Sequence, residues 1–221
     1  MRLFPRLRED IAAIREHDPA ARSLIEVLMT YPGLYALWAH RIEHFFYRHH
    51  WYFFSKLLAT ITRFLTGIEI HPGAKIGRGV FIDHGMGLVI GETAVVGNHV
   101  VLFHGVTLGG TGKDLGKRHP TLEDNVFVSA QVQVLGPITI GKNTKIGAAS
   151  VVLHSLPANA TAVGIPAEIV KLDGQRVNKE VSSTPAAKEE RADDIKGLHK
   201  EVADLHKIIE EMKEEQHDSN L

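Results

Sequence analysis

Between Ile70 and Val152 an aliphatic residue recurs at every sixth position, in three blocks. The first is Ile70, Ile76 and Ile82. The second is Ile90, Val96, Leu102 and Leu108. The third is Leu122, Val128, Val134, Ile140, Ile146 and Val152. Neither the 3.6-residue period of a helix nor the two-residue period of an ordinary strand sustains such a spacing. A hexapeptide β-helix does: each hexad supplies one short flat strand and one corner, and the sixth-residue aliphatics stack inside a prism. Glycine follows the aliphatic at Gly77, Gly91, Gly97, Gly141 and Gly147, where a corner bends the backbone. Small or β-branched residues, from Ala74 and Val80 to Thr144 and Ser150, recur four places after it and suit the pinched inner edge of a narrow coil.

The flanks carry helical patterns. Leu7, Ile11 and Ile14 share one face of a first helix that ends near Asp18-Pro19; a second runs from Ala20 to Met29 and stops before Tyr31-Pro32-Gly33. Leu34 to His49 and Trp51 to Leu65 are two more. Phe45, Phe46, Trp51, Phe53 and Phe54 exceed what a small bundle needs, and pack either on the coil or another subunit, or as the bundle's own core. After the coil, residues 173–187 read as a linker. Ile195, Leu198, Val202, Leu205, Ile209 and Met212 then form an a/d seam, either a short coiled coil or one amphipathic helix. The expected organisation is α+β: an α-helical domain (1–66), a parallel β-helix (67–172), a linker (173–187) and a C-terminal helix (188–221).

The hexad breaks twice. Ile82 to Ile90 spans eight residues and holds Asp83-His84-Gly85-Met86-Gly87. Leu108 to Leu122 spans fourteen and holds Gly109-Gly110-Thr111-Gly112-Lys113, then Lys117-Arg118-His119-Pro120. Extra residues must leave the coil as loops, and loops on a rigid scaffold are where sites are usually built. With 25 basic and 26 acidic residues the net charge is −1, which offers no electrostatic case for nucleic acid or an anionic membrane. There is no cysteine, so disulfides and thiolate metal sites are excluded, and a cytoplasmic setting is compatible. The N-terminus lacks the apolar core of a signal peptide. The apolar run Trp51 to Leu65 is broken by Lys56 and Arg63 and is too short to span a bilayer.

The segments Glu69-Ile70-His71-Pro72-Gly73-Ala74-Lys75-Ile76-Gly77, Ile82-Asp83-His84-Gly85, Gly91-Glu92-Thr93, Val106 through Lys113 and Arg118-His119-Pro120 together closely resemble the serine O-acetyltransferase family of left-handed β-helix acyltransferases. The resemblance covers about residues 10–170. It implies transfer of acetyl from acetyl-coenzyme A to the hydroxyl of L-serine, giving O-acetylserine for cysteine synthesis. It also implies a left-handed coil, a homotrimer or dimer of trimers with sites between subunits, and inhibition by L-cysteine in the serine site. Members of the family dock their C-terminal residues into O-acetylserine sulfhydrylase and typically end in isoleucine; this chain ends Asn220-Leu221, a departure.

By that resemblance His84 is the catalytic base, a role histidine suits because it titrates near neutrality. Glu69 is its partner, placed near the same corner by the fifteen-residue spacing; the better-known members carry aspartate there. Arg118 matches the carboxylate clamp, with a fork suited to bidentate binding. His119 matches a second substrate contact, and Asp83 and Asp18 match groups that hold the ammonium, although Asp18 also reads as a plain helix cap. Gly110, Thr111, Ala130, Lys145 and Ala148 match the lining of the acetyl-coenzyme A groove. Glu92 and Thr93 match without an assigned role. No metal is expected. Direct attack is the simpler mechanism, since the chain has no cysteine and no Gly-x-Ser-x-Gly elbow. Three alternatives stand beside this reading. One is a β-helix O-acetyltransferase acting on a sugar, another a carbonic-anhydrase-like zinc enzyme using His84, His99, His104 and His119. The third is a non-catalytic scaffold subunit.

Overall fold

A computed structural model describes residues 3–112 and 116–177. The expected 188–221 helix lies wholly outside the described residues, as does most of the 173–187 segment. Four helices come first: α1 (Leu3–His17), α2 (Leu24–Thr30), α3 (Pro32–Arg48) and α4 (Tyr52–Thr66). Helix α2 starts later than the sequence pattern suggested. Asp18 and Ala20 close a turn, and Ser23 caps the new helix by accepting from the Glu26 N–H at 3.1 Å. Gly67, in the left-handed region, ends α4 and turns the chain into the coil.

The coil is a left-handed parallel β-helix of about five turns. Turn one is β1 (Glu69–Ile70), β2 (Lys75–Ile76) and β3 (Phe81–Asp83). Turn two is β4 (Val89–Ile90), β5 (Val95–Val96) and β6 (Val101–Phe103). Turn three is β7 (Thr107–Gly109), β8 (Thr121–Leu122) and β9 (Phe127–Val128). Turn four is β10 (Gln133–Leu135), β11 (Thr139–Ile140) and β12 (Lys145–Ile146). β13 (Val151–Val152) and β14 (Ala160–Val163) close the last turn, and β15 (Glu168–Leu172) with β16 (Gln175–Arg176) adds a hairpin. The hairpin thus takes up the first residues of the segment read as a linker from 173.

Every third strand pairs in parallel, giving three faces: β1-β4-β7-β10-β13, then β2-β5-β8-β11, then β3-β6-β9-β12-β14. The register keeps the aliphatic ladder aligned: Ile70 with Ile90, Ile90 with Leu108, Leu108 with Val134, Val134 with Val152. Nearly all of these residues are buried in one continuous core, together with Ala74, Val80, Ala94, Val100, Val106, Val126 and Val132 at the pinched positions. Thr144 and Ser150 replace an apolar residue there and remain satisfied, donating to the Pro157 carbonyl at 2.7 Å and the Gly147 carbonyl at 2.7 Å.

The residue before each third-face aliphatic points outward, and on the lower turns it is large and apolar. Phe81 and Val101 are buried against Ala13, Ile14, Val27 and Leu34, with Phe103 and Phe127 beside them. This second core fastens the helices to the third face. Gly33, in the first turn of α3, lies directly on the Ile82 backbone, where a Cβ would collide with the Ile82 carbonyl. The aromatics Phe45, Trp51, Phe53 and Phe54 pack on one another, on Phe46 and on His49, and each stays half exposed or more. With Phe64 and Leu65 they form an exposed apolar stretch centred on α4. No described helix is long and apolar enough to cross a membrane.

Gly33→Val is expected to push α3 off β3 beside Asp83, costing about 1–3 kcal/mol as an overpacked contact does. Urea unfolding at fixed protein concentration measures it; stability equal to the parent protein would show that the contact is not tight.

Candidate functional site

The two breaks in the hexad fall on different edges of the prism. The first forms the turn from third face to first face, between β3 and β4; the second forms the turn from first face to second, between β7 and β8. Each edge carries its own polar cluster.

On the first edge, His84 follows β3 with φ +58, and Gly85 and Gly87 after it are also left-handed, so the chain swings out of the coil. The imidazole is largely exposed. Its Nε2 lies 3.9 Å from Asp83 Oδ1, within ion-pair range but beyond a hydrogen bond, and its ring stands edge-on to His104, centroids 5.9 Å apart. Asp18 reaches this edge from the end of α1. Its Oδ1 accepts from the Ala20 N–H at 2.7 Å and its Oδ2 from the Tyr31 hydroxyl at 2.6 Å. Those two bonds hold its carboxyl below the usual carboxylate range, and nearby His84 pushes the same way. Burial and the Asp18 carboxylate push the Tyr31 phenol up to about 12, with Asp83 adding to the shift. Asp18, Tyr31, Asp83 and His84 therefore belong to one cluster. Asp18 caps a turn and belongs to the cluster at once, so its two readings are compatible.

Glu69 lies at the same edge, its N–H donating to the Leu88 carbonyl at 2.9 Å. Its carboxylate, however, is on the Arg63 guanidinium at 2.8 Å, so the expected pairing with His84 is not the one present. The cause is local: Arg63 is in the last turn of α4, and the Gly67 turn folds that helix end back over β1. The carboxylate in ion-pair range of His84 is that of Asp83.

On the second edge, Arg118 pairs with Glu92, whose other oxygen accepts from the Tyr47 hydroxyl of α3 at 2.7 Å. The Tyr47 and Arg118 bonds hold Glu92 below the ordinary range, and Glu92, followed by burial, pushes the Tyr47 phenol up to about 12. Thr93 Oγ1 accepts from the N–H groups of Arg118 (3.0 Å) and His119 (3.1 Å). Its own hydrogen is then directed to His119 Nδ1 at 2.9 Å, which also accepts the Thr93 N–H at 3.2 Å. Nδ1 is thereby assigned as acceptor, and Nε2, beside Gly110, carries the proton. Burial, reinforced by Arg118, pushes this imidazole down and keeps it neutral near pH 7. The ring occupies the space beside Gly91, where any side chain would displace it.

The groove candidates divide in the same way. Gly110 and Thr111 are on the Arg118 edge. Ala130 and Ala148 follow β9 and β12 on the His84 edge, joined through the Ala149 N–H to the Ala130 carbonyl at 2.9 Å, and Lys145 opens β12 with its side chain exposed. Small residues and bare backbone suit a thin pantetheine chain, and a lysine suits phosphate. Of the four histidines in the zinc alternative, His84 and His104 are neighbours but His119 is on the other edge. Among the described residues no three metal-capable side chains converge.

Four contributors escaped sequence reasoning. Glu92 and Thr93 sit inside a matched motif, and their adjacency to Gly91 was the available signal. In the sequence Tyr31 reads only as part of a chain breaker, and Tyr47 carries no signal at all.

The family described as bacterial transferase hexapeptide (six repeats) matches residues 119–154. A serine acetyltransferase of Bacillus subtilis strain 168 is 50% identical over 211 residues, covering 96% of this chain and 97% of the relative. Among solved structures, the Neisseria gonorrhoeae serine acetyltransferase in complex with serine is similar at TM-score 0.73 and 41% identity, over 76% of this chain and 69% of that one. The Brucella abortus S19 serine acetyltransferase in complex with coenzyme A gives 0.75 and 41%, over 78% and 69%. A serine acetyltransferase complex with cysteine gives 0.74 and 41%, over 76% and 69%.

Glu92→Gln removes the charge that holds Arg118 while keeping the shape. The expected result is a KM for the carboxylate-bearing substrate raised by about tenfold, with kcat changed less, in line with loss of one charge-assisted hydrogen bond. Steady-state kinetics decide it; an unchanged KM would show that Arg118 needs no such support.

Proposed function

The chain belongs to the serine acetyltransferase family, and on that premise we propose that two edges from neighbouring protomers form one site that moves acetyl from acetyl-coenzyme A to L-serine. One observation carries this reading: the two clusters are chemically complementary, yet sit on different edges of the same prism. The first offers a base and two carboxylates, Asp18 and Asp83, for an ammonium group. The second offers the Arg118 guanidinium and the His119 Nε2–H for a carboxylate. Serine needs both, and a homotrimer supplies them by setting the first edge of each prism against the second edge of the next. The apolar stretch centred on α4 supports assembly, since a second copy would cover it.

In the reaction His84 takes the proton from the serine hydroxyl as its oxygen attacks the thioester carbonyl. The tetrahedral oxyanion meets a backbone N–H near Gly110. The C–S bond then breaks, the proton passes from His84 to the departing sulfur, and O-acetyl-L-serine and coenzyme A leave. Glu69 shares the edge of His84, so rotation away from Arg63 would bring its carboxylate to the imidazole and stabilise the imidazolium. Cysteine presents the same ammonium and carboxylate as serine, so it would compete for the same site; the cysteine complex of a similar enzyme supports this. The use of acetyl-coenzyme A, a donor of the cell interior, supports a cytoplasmic setting for this first step of cysteine synthesis. Docking to the sulfhydrylase that consumes the product would fall on Asn220-Leu221, outside the described residues.

Thiol release from acetyl-coenzyme A should depend on L-serine, and release without it would contradict the reading. His84→Ala should lower kcat by about 10²–10⁴-fold, the usual span for loss of a general base. Co-expressed His84→Ala and Arg118→Ala chains should recover part of the activity that each lacks alone, because some pairings join an intact edge from each. No recovery in verified mixed oligomers would place both groups in one protomer.

A further inference from the structure

A third polar feature shares no residue with either cluster. Between α1, α3 and β2 lies a cavity of about 480 Å³, within the usual range for small-ligand sites. Four cations line it: Arg6 from α1, Arg41 and Arg48 from α3, and Lys75 from β2. Arg41 and Arg48, with His44 between them, recur at helical spacing and so share one face of α3. No carboxylate lines the cavity. The nearest compensating group is buried Asp10, which pairs with Arg41 at 2.6 Å and also accepts from the Trp38 indole N–H at 3.2 Å. Among the described residues Arg6, Arg48 and Lys75 make no ion pair. In a chain of net charge −1, this is a local concentration of unmatched positive charge.

Imidazoles line the same space, His40 and His44 among them. His44 Nδ1 is 2.7 Å from the Pro72 carbonyl, which fixes the ring, and His40 stacks on it at 5.6 Å. His40 is 3% exposed, and its Nε2 has no hydrogen-bond partner. Burial pushes it down to about 3, so it is neutral. A buried imidazole nitrogen without a partner costs stability unless something supplies one. Leu37 and Phe45 from α3 and Ile76 from β2 add apolar lining beside the cations.

Unmatched like charges around a concave, partly enclosed space repel one another, and the arrangement relaxes when an anion enters. Guanidinium forks fit phosphate oxygens in pairs, and a single carboxylate would leave most of these cations unanswered. The apolar lining favours an organic group attached to the phosphate. We infer that this cavity binds a small organic phosphate, at a place separate from the acetyl-transfer site. The inference does not depend on the assignment of that site.

The test is calorimetric titration of ADP into the full-length protein without coenzyme A, which carries an ADP group and could itself enter the cavity. Saturable binding at one ADP per protomer is expected. The double variant Arg48→Ala/Lys75→Ala removes two exposed cations and leaves the Asp10–Arg41 pair intact. It should weaken ADP by about tenfold or more while kcat stays at its parent value. Absence of saturable ADP binding to the parent protein would overturn the inference. So would binding that survives the double substitution unchanged.

Discussion

Everything in this protein rests on the stacking of one hexad turn on the next. Each turn contributes three aliphatics to the interior, and the parallel register places them directly over their counterparts below. A strand of two or three residues cannot hold a sheet by its own hydrogen bonds. It persists because its inward side chain is buried above and below and because every turn repeats the same geometry. That regularity gives the prism straight edges, and straight edges let two insertions far apart in the chain occupy defined positions. The insertions leave the interior intact, since Ile82, Ile90, Leu108 and Leu122 on either side of them are all buried.

The helical domain is the second constraint. It is fastened to the outer side of the third face by Phe81 and Val101, and brought to contact distance by Gly33 on the Ile82 backbone. From there it reaches both edges, each time through a tyrosine. Tyr31 fixes Asp18 beside the His84 loop, and Tyr47 fixes Glu92, which in turn holds Arg118. Both phenols are pushed far up, and both carboxylates held down, because each pair shares a hydrogen bond that favours the protonated phenol and the ionised carboxylate together. The helices thus set the charge state of the groups that would grip a zwitterion.

On the proposed function, a single prism holds only half of the site. A base edge and a guanidinium edge on one triangular body face different directions, and a small amino acid cannot bridge them. Exposed apolar surface on α4 and a polar cluster on each of two edges fit the proposed assembly, in which neighbours complete each protomer. The coenzyme A candidates follow the same division, with Ala130 and Ala148 on one edge and Gly110 and Thr111 on the other. This is the expected outcome if the donor lies in the groove between two prisms.

Much of this was legible in the chain itself. A six-residue aliphatic period admits one architecture, because no other regular backbone returns a side chain to the same interior line at that interval. The breaks in the period located the loops, and the motifs in them named His84, Arg118 and His119. The four helices that precede the coil, with their approximate ends, also followed from pattern and from Tyr31-Pro32-Gly33. Tertiary structure alone decided the rest. Sequence spacing could put Glu69 and His84 on one edge, but not reveal that the end of α4 would fold back and place Arg63 on that carboxylate. Nor could it assign Glu92, Thr93, Tyr31 and Tyr47, since their roles arise from contacts between segments whose separation in the chain carries no period. A repeat encodes position along one axis, whereas which side chain meets which across two packed bodies depends on how those bodies dock.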